Sequence, residues 1–326
     1  MRVHHCCTTF RRLACCLVLG VSLLAGAPLL LAQNKVPTAI EKDRDCDPRI
    51  VVTTDLVSLT VAVTNSHGQN VPGLMRESFQ VYDDQVGQEI SFFSGEDGPV
   101  SVGIVFDLSG SMSGHKTELA REALARFLDS SHIDDEFFLV GFDTESRVLS
   151  RSSQESHILL DQIARIEAQG NTALYDAVSL ALDTLGSARY SRRAIIVISD
   201  GEDNRSRLPF SQLHRRLVEA NVTVFAVHVG PVLPGKGGRA ILARMASTTG
   251  GSSFFPINGE AMSAAFDRIS LELRHQYSLG FLPSNFLADG KLHRITVRVP
   301  SAEPGHRFVV RTRESYIAAQ DLTQRR

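Results

Sequence analysis

Cysteine is nearly absent from the body of this chain. Four of its five cysteines, Cys6, Cys7, Cys15 and Cys16, crowd into the first sixteen residues, and only Cys46 lies beyond them. A chain trimmed of its leader therefore cannot form an intrachain disulfide, even in an oxidising compartment. Cys46 reads as a free thiol in a linker rather than half of an intermolecular bridge. One-signed charge is lacking too. Without Arg2, Arg11 and Arg12 the 34 basic residues fall to 31, against 36 acidic ones, a net of −5. The pairs Arg192-Arg193 and Arg215-Arg216 are isolated and have no interleaved aromatics, which argues against nucleic acid as a partner.

Common catalytic signatures are missing as well. No G-x-S-x-G elbow occurs, and Ser109, Ser111 and Ser113 have no sequence-evident histidine and acid to activate them. His115, beside these serines, reads as a solvent-exposed helix-start residue. His214, His228 and His275 are scattered singly and spell no zinc motif. The stretch Gly230 to Lys236 matches a phosphate loop, but Gly237 stands where a hydroxyl would hold magnesium, and Pro231 and Pro234 remove amide donors. A surface loop is the better reading, and no enzymatic activity is expected.

What is present begins with a leader. Residues 1–32 carry three arginines and no acid, followed by the apolar run Leu13 to Ala32, the pattern of a secretory signal. Cleavage is expected after Ala32; retained instead, the run is long enough to serve as an anchor, the only membrane association expected. Either outcome exports the body of the protein to the periplasm, the cell surface or the medium. Residues 33–47 read as a polar linker, and 319–326 as a tail.

Two kinds of pattern follow. Val57, Leu59, Val61 and Val63 alternate with small or polar residues, as on a half-buried strand. Phe79 to Tyr82 and Ile90 to Phe93 read as two further strands joined by the turn at 83–87. From Val102 strands alternate with helices, the order of a mostly parallel, doubly wound Rossmann-like α/β sheet. Strands are expected at Phe137 to Phe142, Ala194 to Ile198 and Val222 to Val229. Helices are expected at Glu118 to Leu128, with Leu119, Ala123, Phe127 and Leu128 on the buried stripe, at Ala173 to Leu185 and at Glu260 to Leu273. Ile195-Ile196-Val197-Ile198 is apolar on both faces, as a central parallel strand requires. Three strands near 277–281, 292–299 and 308–312 close the chain. The segments 48–97 and 276–318 are expected to pair into one small β-sandwich-like domain flanking an α/β domain at 98–275, since neither half alone has a complete core.

At the end of the first α/β strand stands Asp107-Leu108-Ser109-Gly110-Ser111, one carboxylate and two hydroxyls on a tight turn. Oxygen donors on a short loop suit a hard cation such as magnesium. Gly170-Asn171-Thr172 opens a later helix with a hydroxyl, and Ser199-Asp200-Gly201 ends a later strand with an acid. Ligands gather beyond the carboxyl ends of strands in such sheets, where these segments converge. Taken together they resemble the von Willebrand factor type A family, whose metal-ion-dependent adhesion site combines D-x-S-x-S, a threonine loop and a later aspartate. The resemblance spans 98–275.

It implies that Ser109, Ser111 and Thr172 touch Mg²⁺ (or Mn²⁺) through their hydroxyls, while Asp107 and Asp200 hold it mostly through water. It also implies that the partner is a protein presenting an exposed Asp or Glu, so that the chain acts in adhesion or assembly. Asp143, Glu202 and Asp203 are candidates for the surrounding shell, and Asp176 for a helix cap. With Glu77 to Asp84, Glu89 to Phe93, Tyr277 to Phe281 and Arg311 to Tyr316, the chain is similar over 48–318 to exported proteins described as VWFA-related in acidobacteria. The competing readings are a scaffold whose metal only orders loops, and a metal-dependent hydrolase.

Overall fold

The computed structural model describes residues 56–318 apart from 154–155, 165–167, 231–236, 285–289 and 302–306. The leader, its cleavage point, the linker, Cys46 and most of the phosphate-loop-like stretch lie outside the described residues.

In chain order the elements are β1 (Val57–Thr64), β2 (Gln80–Asp83), β3 (Val86–Gln88) and β4 (Ile90–Ser94), then β5 (Ser101–Asp107), α1 (His115–Asp129), β6 (Glu136–Phe142), β7 (Ser146–Ser153), α2 (Ser156–Ala164) and α3 (Leu174–Gly186). They continue with β8 (Arg193–Ser199), α4 (Phe210–Glu219), β9 (Thr223–His228), α5 (Gly238–Thr248), β10 (Ser253–Phe254) and α6 (Gly259–Arg274). Four strands end the chain: β11 (Tyr277–Phe281), β12 (Leu292–Arg298), β13 (Val309–Arg311) and β14 (Ser315–Ile317). Among the described residues no helix is long and apolar enough to cross a membrane.

The central sheet has the order β10-β9-β8-β5-β6-β7. Its pairs are parallel except that β7 runs antiparallel at the edge. Every residue of β5 is buried, as is every residue of β8 after Arg193, because helices cover both faces. Ile104, Phe106, Ile196 and Ile198 pack with α1 and α6 on one side. Val105, Ile195 and Val197 pack with α3, α4 and α5 on the other. The chain leaves β5 toward β6 in one direction and later returns to β8 on its opposite flank. The order therefore reverses between β5 and β8, and a crevice opens beyond the carboxyl ends of these two strands.

The remaining strands form two antiparallel sheets, β13-β1-β11-β4 and β14-β12-β2-β3, each drawing strands from before and after the α/β region. Val57, Leu59, Val61 and Val63 share their buried face with Phe79, Val81, Tyr277, Leu279, Ile295 and Val297. Tyr277 extends this core into the first flank, donating to Val71 O at 2.6 Å and accepting from Leu74 N at 3.0 Å.

Several details differ from expectation. Phe79–Tyr82 and Ile90–Phe93 do not form one hairpin: β2 pairs with β3 and β12, whereas β4 pairs with β11 in the other sheet. The tail contributes four strands rather than three, because Tyr316 is buried on a short β14. On α1 the buried stripe is Ala120, Ala123, Leu124, Phe127 and Leu128, and Leu119 sits only half-buried beside it. The edge strand β7 and helices α2, α4 and α5 are further elements beyond those expected, α4 burying Leu213, Leu217 and Val218 on one face.

Candidate metal site

Asp107 is the last residue of β5 and is fully buried. Its two oxygens are each fixed. Oδ1 accepts from the Ser109 amide at 2.9 Å and Oδ2 from Ser199 Oγ at 2.5 Å. Ser199 closes β8, and its hydroxyl also accepts from Gly201 N at 3.0 Å, so the two strand ends are clasped at the reversal point. Ser109 is buried and Ser111 exposed, with their hydroxyl oxygens 3.1 Å apart.

The threonine loop is tied to this turn through the backbone. Gly110 N donates to Gly170 O at 3.1 Å, and Gln169 N to Leu108 O at 2.8 Å. Thr172 is buried, and its amide donates to Asn204 Oδ1 at 3.0 Å. Its carbonyl accepts from the amides of Asn204 and Arg205 at 3.0 and 3.1 Å, joining this loop to the one after β8. Asp200, half-buried at the head of that loop, accepts from Glu202 N at 3.1 Å. Gly201 follows with φ +78°, and a Cβ there would strike the carbonyl of Gly238, so only glycine lets Asp200 turn this way.

Burial pushes the Asp107 carboxyl up to about 6. Hydrogen bonds from Ser109 and Ser199 hold it down in part, and the Asp200 carboxylate adds to the rise. The donors around this point are all oxygens and include two carboxylates, a set that suits a hard divalent cation. The 3.1 Å between Ser109 Oγ and Ser111 Oγ is close to the edge of about 2.9 Å that an octahedron with bonds of 2.0–2.1 Å requires. The residues present therefore fit such an ion.

The outer candidates are engaged elsewhere. Asp143 begins the loop after β6, accepting from Glu145 N at 3.1 Å and pairing with Arg147 at 3.1 Å, while its carbonyl accepts from Ala173 N at 2.8 Å. Asp203 accepts from Ser206 Oγ at 2.6 Å and faces the start of α3, and burial raises its carboxyl. Glu202 is half-buried next to Asp200. Asp176 does not cap α3; it accepts from Arg207 N and Leu208 N at 2.9 and 3.0 Å and so pins the loop leading to α4. His115 is exposed at the first residue of α1.

Sequence reasoning missed Ser199 and Asn204. The hint for Ser199 was a lone hydroxyl ending an otherwise apolar strand. Lys116 was also missed, and His228 was read only as a scattered histidine. Lys116 Nζ donates to Ser111 O at 2.9 Å. His228, buried at the end of β9, is lowered first by burial and then by Arg239, with Asp200 acting in the opposite sense.

Residues 102–202 match the von Willebrand factor type A domain. The chain is 31% identical over 166 residues to inter-alpha-trypsin inhibitor heavy chain H4 of Sus scrofa, covering 47% of this chain and 18% of that protein. Against the Homo sapiens heavy chain H4 it is 34% identical over 116 residues, covering 32% of this chain and 12% of that protein. The chain thus spans less than a fifth of the length of these heavy chains. A solved structure, von Willebrand factor type A from Catenulispora acidiphila, aligns at a TM-score of 0.47 and 14% identity, over 81% of this chain and 75% of that one. The likeness to the von Willebrand factor type A domain thus falls on the α/β region, over residues 102–202.

Proposed function

We propose that this is an exported protein-binding module in which Ser109, Ser111 and Thr172 hold a divalent cation, Mg²⁺ or Mn²⁺, directly, while Asp107 and Asp200 hold it through water. The observation that carries this reading is the position of Asp107: a buried carboxylate at the β5–β8 reversal, aimed by Ser109 N and Ser199 Oγ, on a turn that is hydrogen-bonded to the threonine loop. A cation bound there supplies a Lewis-acidic point for an Asp or Glu side chain of a partner protein.

The chain's own residues do the rest. Neutral hydroxyls as direct donors leave more positive character on a cation than carboxylates would. Ser199 and the Ser109 amide fix the buried carboxylate so that it does not have to reorganise on binding. Lys116, at the rim, adds a positive charge that favours an acidic partner. Export rests on the three arginines and the apolar run of residues 1–32. The chain would then act in adhesion or assembly, not catalysis.

The test is capture of envelope proteins on the immobilised chain in Mg²⁺ and in EDTA, with Asp107→Ala beside the wild type. Retention that needs both Mg²⁺ and Asp107, in a variant that still folds, is the expected result. Retention unchanged by EDTA, with only a lower melting temperature, would show a cation that merely orders loops. Metal-dependent turnover of a generic phosphate or ester would favour a hydrolase instead.

A further inference from the structure

A second cluster of ligand atoms lies away from the α/β sheet, on the sheet β14-β12-β2-β3. Asp83, Asp84 and His293 each offer one ligand atom, and these atoms lie within 4.8 Å of one another. His293 Nδ1 is 3.0 Å from Asp84 Oδ2 and 3.7 Å from Asp83 Oδ1.

The two sheet neighbours of β12 build this cluster. Asp83 ends β2 opposite Ile295, and His293 stands opposite Tyr316 of β14. The Asp84 amide donates to Arg294 O at 2.9 Å, and Arg294 N returns a 2.9 Å bond to Asp84 Oδ1, which turns Oδ2 toward His293. Asp83 is only 7% exposed. Its Oδ2 accepts from Tyr316 Oη at 2.7 Å, and Oδ1, buried and facing His293, takes no hydrogen bond. Tyr316 also stacks on the imidazole, with ring centroids 5.3 Å apart and 27° between planes. One tyrosine thus orients two of the three ligands, as the residues behind a metal's direct ligands commonly do.

The chemistry selects a class of metal. An imidazole with two carboxylates suits zinc and its transition-metal neighbours, whereas magnesium prefers oxygen alone. Tetrahedral Zn²⁺ with bonds of about 2.0–2.1 Å separates its ligands by about 3.3 Å, and the observed 3.0 and 3.7 Å bracket that edge. Two carboxylates balance the charge of a dication. Asp84 is half-exposed, with 54% of its side chain accessible, so solvent can reach the remaining coordination position.

We propose that Asp83, Asp84 and His293 form a binding site for a zinc-class transition-metal dication, which staples the β2–β3 hairpin to β12 and, through Tyr316, to β14. It is independent of the oxygen site on the α/β sheet and differs from it in metal preference.

The experiment titrates the tag-free chain without residues 1–32, whose histidines and cysteines would bind zinc themselves, with ZnCl₂ in excess MgCl₂, which competes at an all-oxygen site but poorly at one containing imidazole. Calorimetry is expected to find one such Zn²⁺ per chain, weakened at least about tenfold by Asp84→Asn or His293→Ala and by about tenfold in Tyr316→Phe, which keeps all three ligands. X-ray absorption of the wild-type zinc complex is expected to show a single imidazole nitrogen among oxygens. That spectrum decides the matter even if the His293 variant does not fold. Absence of stoichiometric Zn²⁺, a spectrum without imidazole, or wild-type affinity in Asp84→Asn and His293→Ala would each overturn the assignment and leave the cluster a salt bridge. None of these outcomes bears on the Mg²⁺ dependence of partner capture.

Discussion

Ser199 Oγ donates a 2.5 Å hydrogen bond to Asp107 Oδ2, so the last residues of two adjacent parallel strands are joined side chain to side chain at the point where the sheet reverses. This serine sits one shell behind the carboxylate and fixes its plane. Ser199→Ala is therefore expected to leave the fold intact and to lower Mn²⁺ affinity by about tenfold or more. Mn²⁺ titration followed by electron paramagnetic resonance measures it directly. Equal affinity in the variant would mean that Asp107 needs no orienting partner.

The raised Asp107 carboxyl makes a pH prediction whose sign is opposite to that of a salt-bridged aspartate. In the metal-free protein this carboxyl titrates near 6, above its usual value of 3.8, so the folded state holds the proton more tightly than the unfolded chain. Ionisation then costs stability as pH rises from about 4 through 6, and the cost stays in full above that. Asp107→Asn should therefore stabilise the metal-free protein at pH 7 by roughly 2–3 kcal/mol, less whatever the amide loses in hydrogen bonding, and the gain should vanish near pH 4. Urea unfolding in EDTA at several pH values tests this. The same variant should lose cation binding, separating stability from function.

Gly141 on β6 lies under the D-x-S-x-S turn. A Cβ there would come 2.5 Å from Leu149 Cδ1 and 2.8 Å from Leu108 Cδ1. Leu108 is the residue between Asp107 and Ser109, held by its amide to Phe142 O at 2.7 Å. Gly141→Ala is expected to cost about 1–3 kcal/mol by overpacking and to weaken Mn²⁺ binding, because the displaced side chain belongs to the D-x-S-x-S turn. Thermal unfolding and Mn²⁺ titration of the same sample would show whether the two losses go together.

How much of this was legible in the sequence depends on whether a residue's role is local. Ile195 to Ile198 announces a central strand because burial on both faces removes any alternation, and Asp107, Ser109 and Ser111 announce a turn of oxygens by spacing alone. Ser199 and Asn204 act through contacts with segments 92 and 32 residues away in the chain, so beyond the lone hydroxyl at the end of β8 no local pattern announces their roles. The separation of β2 from β4 into different sheets was hidden for the same reason, because their partners β12 and β11 lie beyond the whole α/β region. Strand β7 escaped notice as an edge strand of mixed polar residues, where half-exposure erases the apolar signal.

The α/β region is held to the antiparallel sheets by a buried ion pair. Glu272, on α6 and only 2% exposed, pairs with Arg311 of β13 and accepts from Ser252 Oγ at 3.0 and 3.1 Å. Burial pushes its carboxyl up and the Arg311 guanidinium pulls it back down. Arg311→Met would leave that carboxylate buried without its cation, at a cost of about 3–5 kcal/mol at neutral pH. The loss should shrink as acid protonates Glu272, since its folded-state pKa rises further once the guanidinium is gone. The double variant Glu272→Leu with Arg311→Met should recover most of the loss, because well-packed apolar residues replace a buried pair at little net cost. Urea unfolding of the two single variants and the double variant closes the cycle, and additive single losses would show that the two residues do not act as a pair.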